Sequence, residues 1–381
     1  MQNNTAHKDI LNYHVYIPRS RTAVYYLLSL SLSFLTLVGV GLNLTYRPEL
    51  PHDPCNSVYF WKTSFEPTGT DLRFLENHDV KRIYMRMFDI VANNGGTPPE
   101  EAVVPNATLR FPTVNSADYW ESHQMLSQAE FVPVVYITVD ALRAMESEID
   151  IWAEKIVERV SNMISYNFIP NVSEYQLDCD WTESTEQIFF SLCASVKKEL
   201  IRRNKDYRLS STIRLHQLSK PVPPVDFGVL MVYNTGNFTN PDAHNSILDI
   251  EDVKPYIKNL SGYRLPLDVA YPLYTWQLLF RNRQFTGLLR DTDLSDSENF
   301  IQIGENTHKA LRDVVNGRTV IHKDDIVRTE TSDYKSIRDV KKLIDQKISS
   351  PNYSVILYHL DTKTFATFTR NEIDSIYTCR R

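Results

Sequence analysis

The chain has 381 residues, of which 42% are hydrophobic and 23% charged, a balance typical of a folded globular protein and unlike that of disordered or collagen-like chains. Lys and Arg total 41 and Asp and Glu total 47, so the formal net charge of -6 excludes the global basic field that attracts nucleic acid. Glycine is scarce at 11 residues, and neither G-x-G-x-x-G nor G-x-x-x-x-G-K-S/T occurs, so no phosphate-binding glycine loop is expected.

The first predicted element is a membrane-spanning helix. Residues 23–44 contain no charged side chain, and about 20 such residues cross a bilayer as a helix. Lys8, Arg19 and Arg21 precede this run, so the positive-inside rule places the N-terminus in the cytoplasm. The sequence therefore predicts a single-pass membrane protein with its C-terminal domain on the extracytoplasmic side. Secretion after signal cleavage is the alternative, because residues 39–41 are small.

The remaining chain has the pattern of a parallel sheet. Short runs of β-branched and aromatic residues alternate with longer amphipathic stretches, as in βα units. The eight predicted strands are 58–65, 82–90, 131–139, 174–181, 208–215, 227–233, 267–274 and 353–360. Eight repeats in about 320 residues match a (β/α)8 TIM barrel, an α/β fold, better than a doubly wound sheet.

One stretch before the last strand does not fit a plain βα unit. Residues 281–350 contain short strand-like runs at 285–289 and 318–322 and a helical pattern near 334–348, so an inserted subdomain is expected there. The predicted domains are a cytoplasmic segment 1–22, an anchor 23–44, a linker 45–56 and a barrel 57–381 with the insertion 281–350.

The four cysteines fall on the exported side, where disulfides persist. Cys55 precedes the first strand and Cys379 follows the last helix, so both belong to one face of a closed barrel, and a disulfide between them is predicted. Cys179 faces the helix that carries Cys193, and these two form either a second disulfide or two buried free thiols. No Cys or His spacing matches a metal site, so no metal and no other cofactor is predicted.

The fourth predicted strand carries the strongest indication of a site. Barrel sites lie at the C-terminal ends of the strands, and strand alternation places Gln176, Asp178 and Asp180 on the lumen face. Two carboxylates that point into one barrel lumen repel each other, so such a pair is commoner in functional sites than in hydrophobic cores. Glu183, just beyond the strand, can overhang the same mouth or simply cap the next helix.

Other strand ends add aromatic, charged and amide groups around this mouth. Aromatic faces stack on sugar C–H surfaces while charged groups bind hydroxyls, so a carbohydrate ligand is predicted. Any one of these aromatic residues, and likewise His216, is more often part of the core than of a binding site. The predicted substrate-binding residues are Trp61, Glu66, Arg86, Asp89, Tyr136, Trp181, Arg214, His216, Met231, Asn234, Tyr271 and Tyr274.

Two segments, YQLDCDWTES and VLMVYN, resemble strands four and six of the family 18 glycoside hydrolases, the chitinase-like barrels. Asp178 and Asp180 match the second and third aspartates of the family motif D-x-x-D-x-D-x-E. Met231, Tyr233 and Asn234 match the motif M-x-Y-D/N of strand six. The resemblance implies a TIM barrel that acts on carbohydrate.

The sequence departs from the family motif at two positions. Tyr175 replaces the first aspartate, and Thr182 replaces the catalytic glutamate, with Glu183 one position later. In that family the glutamate is the general acid, and the neighbouring aspartate orients the acetamido group of the substrate. The chain also resembles a group of exported bacterial proteins with glycosidase-like barrels, which share Q-L-D-x-D on strand four and S-x-T on strand five, here residues 210–212. That similarity implies the fold and no particular activity. With the predicted anchor, it also implies a place in the bacterial inner membrane, with the C-terminal domain in the periplasm or outside the cell.

The sequence therefore predicts a membrane-anchored, extracytoplasmic barrel protein that acts on or binds carbohydrate. In an enzyme, Glu183 or Asp180 is the candidate general acid, Asp178 tunes its partner, and Tyr233 holds the substrate or stabilises developing charge. Two alternatives remain open. One is a carbohydrate-binding module that has lost the acid, and the other is an envelope scaffold whose partner docks on the insertion 281–350.

Overall fold

The computed structural model describes residues 49–93, 101–113, 119–289, 291–350 and 352–378. The predicted membrane-spanning segment 23–44 lies outside these residues. Among the helices of the described part, none is both long enough and apolar enough to cross a bilayer.

Eight parallel strands form a closed barrel, as the sequence predicts. Each strand pairs with the next along the chain, and the last pairs with the first, which closes the ring. Because helices cover the outside and side chains fill the inside, these strands are buried on both faces. They are β1 Asn56–Phe60, β2 Val80–Ala92, β3 Glu130–Ile137, β4 Glu174–Asp178, β5 Arg208–Arg214, β6 Phe227–Met231, β7 Leu267–Pro272 and β8 Val355–Tyr358.

Helices follow most of the barrel strands and pack on the outside of the ring. Side-chain caps define several helix starts: Thr68 and Asp71 form a capping box before the first helix, and Thr369 and Glu372 form another before the last. The α-helices are Gly69–Asn77, Tyr119–Gln128, Val139–Ala144, Ile149–Tyr166, Glu186–Arg203, Ile250–Ile257, Tyr334–Asp345, Thr362–Phe365 and Arg370–Tyr377. The 3-10 helices are Glu146–Glu148, Leu215–Ser219 and Leu260–Gly262.

A five-stranded antiparallel sheet lies in the chain between β7 and β8. It begins before the predicted boundary at 281, because the apolar run that follows β7 continues directly into its first strand. Its strands, in spatial order, are Gln284–Leu289, Thr275–Arg281, Ile326–Thr331, Thr307–Ala310 and Phe300–Gly304. The hairpin Val314–Asn316 and Thr319–Ile321 contributes Ile321 to the small apolar cluster of this sheet. A further strand, Val103–Asn106, pairs with β2.

Three cysteines lie within the described residues, and no disulfide joins any two of them. Cys179 and Cys193 are both fully buried, so the predicted alternative of two buried free thiols is confirmed and a disulfide between them is wrong. Burial raises the pKa of both thiols, which makes them poor nucleophiles. Cys379 lies outside the described residues, so the pair with Cys55 stays a prediction.

Candidate functional site

A cleft of about 460 Å3 opens at the C-terminal ends of the barrel strands. A larger groove of about 580 Å3 lies on the flank, between β2 and the helix Ile149–Tyr166, but its lining is mostly apolar and lies away from the strand ends. The strand-end cleft is the candidate site, because charged and aromatic groups from several strands converge there. The predicted residues that line it are Trp61, Arg86, Tyr136, Asp178, Asp180, Arg214, His216, Met231, Tyr233 and Asn234.

Asp178 forms the charged floor of the cleft. It is the last residue of β4, its side chain is 3% exposed, and its Oδ1 accepts hydrogen bonds from Arg214 Nη2 at 2.8 Å and Thr212 Oγ1 at 2.6 Å. Arg214 also contacts the sulfur of Met231. Burial lowers the pKa of the Arg214 guanidinium and the nearby Asp178 carboxyl group raises it, and the net effect is a raised pKa. Asp178 and Arg214 are therefore a fixed ion pair.

Hydrogen bonds below this pair hold the β4 side chains in the lumen. Tyr59 on β1 donates to Gln176 Oε1 at 2.7 Å, and Gln176 Nε2 donates to Ser210 on β5 at 3.1 Å. Ser210 in turn donates to Glu174 at the start of β4. Alternate β4 residues thus point inward, as the sequence predicts, and the network fixes the direction of Asp178.

One wall of the cleft combines an indole ring with a second ion pair. The Cζ atom of Arg86 lies 5.4 Å from the centroid of the Trp61 ring, within the range of a cation–π contact. Asp89 accepts from Arg86 Nε at 2.7 Å and does not line the cleft. Asp89 therefore positions Arg86, which differs from its predicted role in contacting a substrate.

Tyrosine rings continue the wall of the cleft next to Trp61. Tyr233 and Tyr358 stack with ring centroids 4.6 Å apart, and Tyr358 lies 5.7 Å from Trp61 by the same measure. Burial raises the pKa of both tyrosines well above the ordinary value, and it also raises the pKa of Tyr136. These hydroxyls therefore stay protonated and can donate hydrogen bonds to ligand oxygens.

Asp180 lies at the open mouth of the cleft. Its side chain is 56% exposed, and its Oδ1 lies 3.6 Å from Nε2 of His216, which is 45% exposed. This distance is longer than a hydrogen bond. The two residues can contact a ligand that enters the cleft, as the sequence predicts for both.

Glu183 does not reach the cleft. Its side chain is 85% exposed, and its Oε2 accepts a 2.8 Å hydrogen bond from Lys220. That hydrogen bond lowers the pKa of Glu183, whereas a general acid needs a raised pKa. The predicted role of Glu183 as an acid over the mouth therefore has no geometric basis. The alternative of a simple helix cap is not seen either, since the next helix is preceded by Thr185.

Four more of the predicted binding residues lie outside the cleft. Trp181 is fully buried against Phe189 and Phe190 of the next helix, on the outward side that alternation gives to the neighbour of Asp180. Tyr271 is also fully buried. The remaining two are Glu66, an exposed residue that accepts from Ser64, and Tyr274, a buried residue that donates to Asn234.

The cleft also contains residues that the sequence did not indicate. Tyr358 ends β8, so the rule that found Asp178 could have found it. Phe238 lies on the loop after β6 and contacts Trp276 and Phe285 of the antiparallel sheet, a contact between distant segments with no local signal. The others are Leu215, Thr235, Gly236 and Tyr256.

Comparison with known proteins identifies the fold. No family model matches the sequence, and no curated protein matches it. Solved structures do match. An immunomodulatory chitinase from Trichuris suis superposes with a TM-score of 0.51 and 10% identity, covering 85% of this chain and 99% of that one. The chain has the fold of a chitinase.

Two further structures extend this comparison. Catalytic domain 2 of the Group II chitinase from Ostrinia furnacalis, solved in complex with penta-N-acetylchitooctaose, gives a TM-score of 0.50 at 12% identity and covers 85% of this chain and 95% of that one. The spore cortex-lytic enzyme SleL of Bacillus cereus gives 0.48 at 14% identity, with coverage of 86% and 76%. Identities this low show a shared fold alone, and a function depends on the residues of the cleft.

Proposed function

We propose that the protein binds a glycan in the strand-end cleft and does not hydrolyse it. The observation that carries the proposal is the pairing of stacked aromatic rings with protonated tyrosine hydroxyls around Asp178. Trp61 and Tyr358, which are half-buried and line the cleft, offer ring surface to sugar C–H groups, and Tyr233 stacks on Tyr358. Arg86, Asp180 and the tyrosine hydroxyls offer hydrogen bonds to the sugar hydroxyl groups.

The lack of a placed proton donor supports binding over hydrolysis. Thr182 stands where the family motif has its acid, and Glu183 points away towards Lys220. Of the carboxylates that line the cleft in the described part of the chain, Asp178 is held in an ion pair and Asp180 is open to solvent. A general acid usually needs a sheltered site that keeps it protonated. Hydrolysis with Asp180 as the acid is the second candidate, since His216 lies beside it.

The proposal predicts that Trp61→Ala weakens glycan binding about tenfold, because removal of a stacking ring costs on the order of 1.4 kcal/mol. The full chain would be screened against chitin-type, peptidoglycan-type and plant or host oligosaccharides, with binding measured by calorimetry. Trp120→Ala is the matched control, because Trp120 is 76% exposed and does not line the cleft.

The same glycans would be assayed for new reducing ends. Release that is lost in Asp180→Asn would overturn the binding proposal in favour of hydrolysis. If no glycan in the panel is bound and none is cleaved, the result favours the alternative of an envelope scaffold.

We also propose that residues 23–44 anchor the chain in the inner membrane, with the barrel on the extracytoplasmic side. The support is the uncharged run and the preceding basic residues. After cell fractionation, the full-length chain should be found in the membrane fraction. A protease added on the extracytoplasmic side should digest the barrel, and one confined to the cytoplasmic side should not. A secreted chain that lacks its first 40 or so residues would establish the cleaved alternative.

We propose, in addition, that Cys55 and Cys379 form a disulfide. Tyr377, two residues before Cys379, donates a 3.1 Å hydrogen bond to the Ser57 carbonyl, and Cys55 Sγ lies 3.5 Å from Ser57 Oγ. The two ends of the barrel therefore meet close to Cys55. Of the 4 cysteines, thiol titration in denaturant should detect two without reductant and all with it. Equal counts under both conditions would contradict the bond.

A further inference from the structure

The chain enters the barrel on the face opposite the cleft, at the N-terminal ends of the strands. The predicted linker 45–56 is bonded to this face, because the Pro51 carbonyl accepts a 2.7 Å hydrogen bond from Arg208 at the start of β5. His52 Nε2 lies 3.0 Å from a carboxylate oxygen of Asp268 near the start of β7. The entering chain is therefore fixed to the N-terminal face of the barrel from Pro51 onward.

An exposed aromatic turn lies on the same face. The helix Ile149–Tyr166 ends in a tyrosine that is 83% exposed, and Phe168, two residues later, is 79% exposed. The chain then returns to the start of β4, where Ser173 accepts a 2.8 Å hydrogen bond from the same Arg208 that holds the entering chain. Two aromatic rings are thus exposed at the end of the barrel where the chain enters.

The backbone at Phe168 shows that this ring does not serve local stability. Phe168 N donates to Ser165 O at 3.3 Å, and Ile169 N donates to Ile164 O at 3.0 Å, which are the two hydrogen bonds of a Schellman motif. Phe168 is the left-handed residue of this motif, with a φ of 52°, a conformation that favours glycine and is an outlier for a bulky side chain. An exposed phenylalanine at such a position is unfavourable in water, which indicates that its ring contacts another surface.

We infer that Tyr166 and Phe168 insert their rings into the head-group region of the bilayer that residues 23–44 are proposed to cross, an inference that rests on that anchor. The anchor ends seven residues before Pro51, and seven residues span at most about 25 Å. The N-terminal face of the barrel is thereby held near the membrane surface. Aromatic rings are favoured at this depth, so the bilayer supplies the apolar contact that exposed rings lack in water.

This orientation determines how the proposed glycan site is presented. The cleft lies at the C-terminal ends of the strands, at the opposite end of the barrel from the aromatic turn 166–168. It therefore opens away from the bilayer. The membrane contact itself does not depend on what the cleft binds, so it is tested separately from glycan binding.

Photocrosslinking of the full chain in phosphatidylcholine vesicles tests the contact. The crosslinking amino acid p-benzoylphenylalanine, placed at position 166 or 168, should form lipid adducts that mass spectrometry identifies. Position 315 is the matched control, because Val315 is apolar and 76% exposed but lies on the hairpin of the inserted segment. It should give about tenfold less lipid adduct, because only a side chain at interfacial depth meets lipid at high effective concentration.

Flotation of the vesicles separates failure of the inference from failure of the anchor. A chain that does not float with the vesicles would contradict the anchor, and the inference with it. A chain that floats but gives equal lipid adducts at positions 168 and 315 would overturn the inference and leave the anchor in place. Adducts to a second copy of the chain instead of lipid would do the same.

Phe168→Gly tests whether the ring contributes to the fold. Because glycine adopts the left-handed conformation without steric cost, the urea midpoint of the full chain should equal or exceed that of the wild type, with glycan binding unchanged. Asn171→Gly is the control at a second position of positive φ, 55°, where asparagine already tolerates this conformation, so its midpoint should change less. A lower midpoint for Phe168→Gly would show that the ring packs within the protein and would overturn the inference.

Discussion

Arg214→Met should destabilise the barrel by about 2 to 3 kcal/mol and abolish glycan binding. The substitution leaves Asp178, which is 3% exposed, with Thr212 as its remaining hydrogen-bond donor. Breaking a fully buried ion pair costs about 3 to 5 kcal/mol, and the expected loss falls to about 2 to 3 kcal/mol because Arg214 is 23% exposed to the cleft, where solvent screens its charge. Urea unfolding of the full chain, followed by tryptophan fluorescence, would measure the change.

Two controls distinguish this effect from a simple loss of packing. Asp178→Asn combined with Arg214→Met should recover most of the stability, because neither charge then remains buried. The Lys220 to Glu183 pair has the same 2.8 Å separation but lies on the surface, so Lys220→Met should not shift the urea midpoint measurably. A double variant no more stable than Arg214→Met would show that the charge of Asp178 is not the cause.

The sequence was sufficient to predict the barrel. Parallel strands covered on both faces appear as apolar runs, and each of the eight predicted runs overlaps a barrel strand. Their alternation also placed Gln176 and Asp178 inward, which the contacts of Gln176 with Tyr59 and of Asp178 with Arg214 confirm. These features follow from the local period of the chain, so they are readable without tertiary information.

Features that depend on where a strand stops were not readable. The strand β4 ends at Asp178, three residues before the predicted end, so Asp180 lies at the open mouth of the cleft, 56% exposed, and not inside the lumen. Glu183 pairs with Lys220, which follows the 3-10 helix after β5 and is distant in sequence. Phe238 reaches the cleft through a loop that packs on the antiparallel sheet. Each outcome is decided by contacts between distant segments, which no local pattern contains.

Glu174 should make the stability of the barrel depend on pH. This residue begins β4, is fully buried and accepts from Ser210. Burial, opposed by the nearby Arg82 guanidinium and the Ser210 hydroxyl, raises its pKa from 4.5 to about 7. A carboxyl with a raised pKa binds its proton more tightly in the folded state, so ionisation favours unfolding. The free energy of unfolding should therefore fall as the pH rises from 4.5 to 7, with the full loss above pH 7.

Glu174→Gln isolates this contribution, since glutamine has the same shape and stays neutral. Below pH 4.5 the variant and the wild type should have equal stability. Above pH 7 the variant should be more stable by on the order of 3 kcal/mol, the equivalent of the pKa shift. Urea unfolding at pH 4.5 and pH 8 would measure both differences, with Glu154→Gln at an exposed helix position as the control. A Glu174→Gln variant that is less stable than the wild type at pH 8 would show that Arg82 stabilises the ionised carboxylate by more than burial destabilises it, and would contradict the raised pKa.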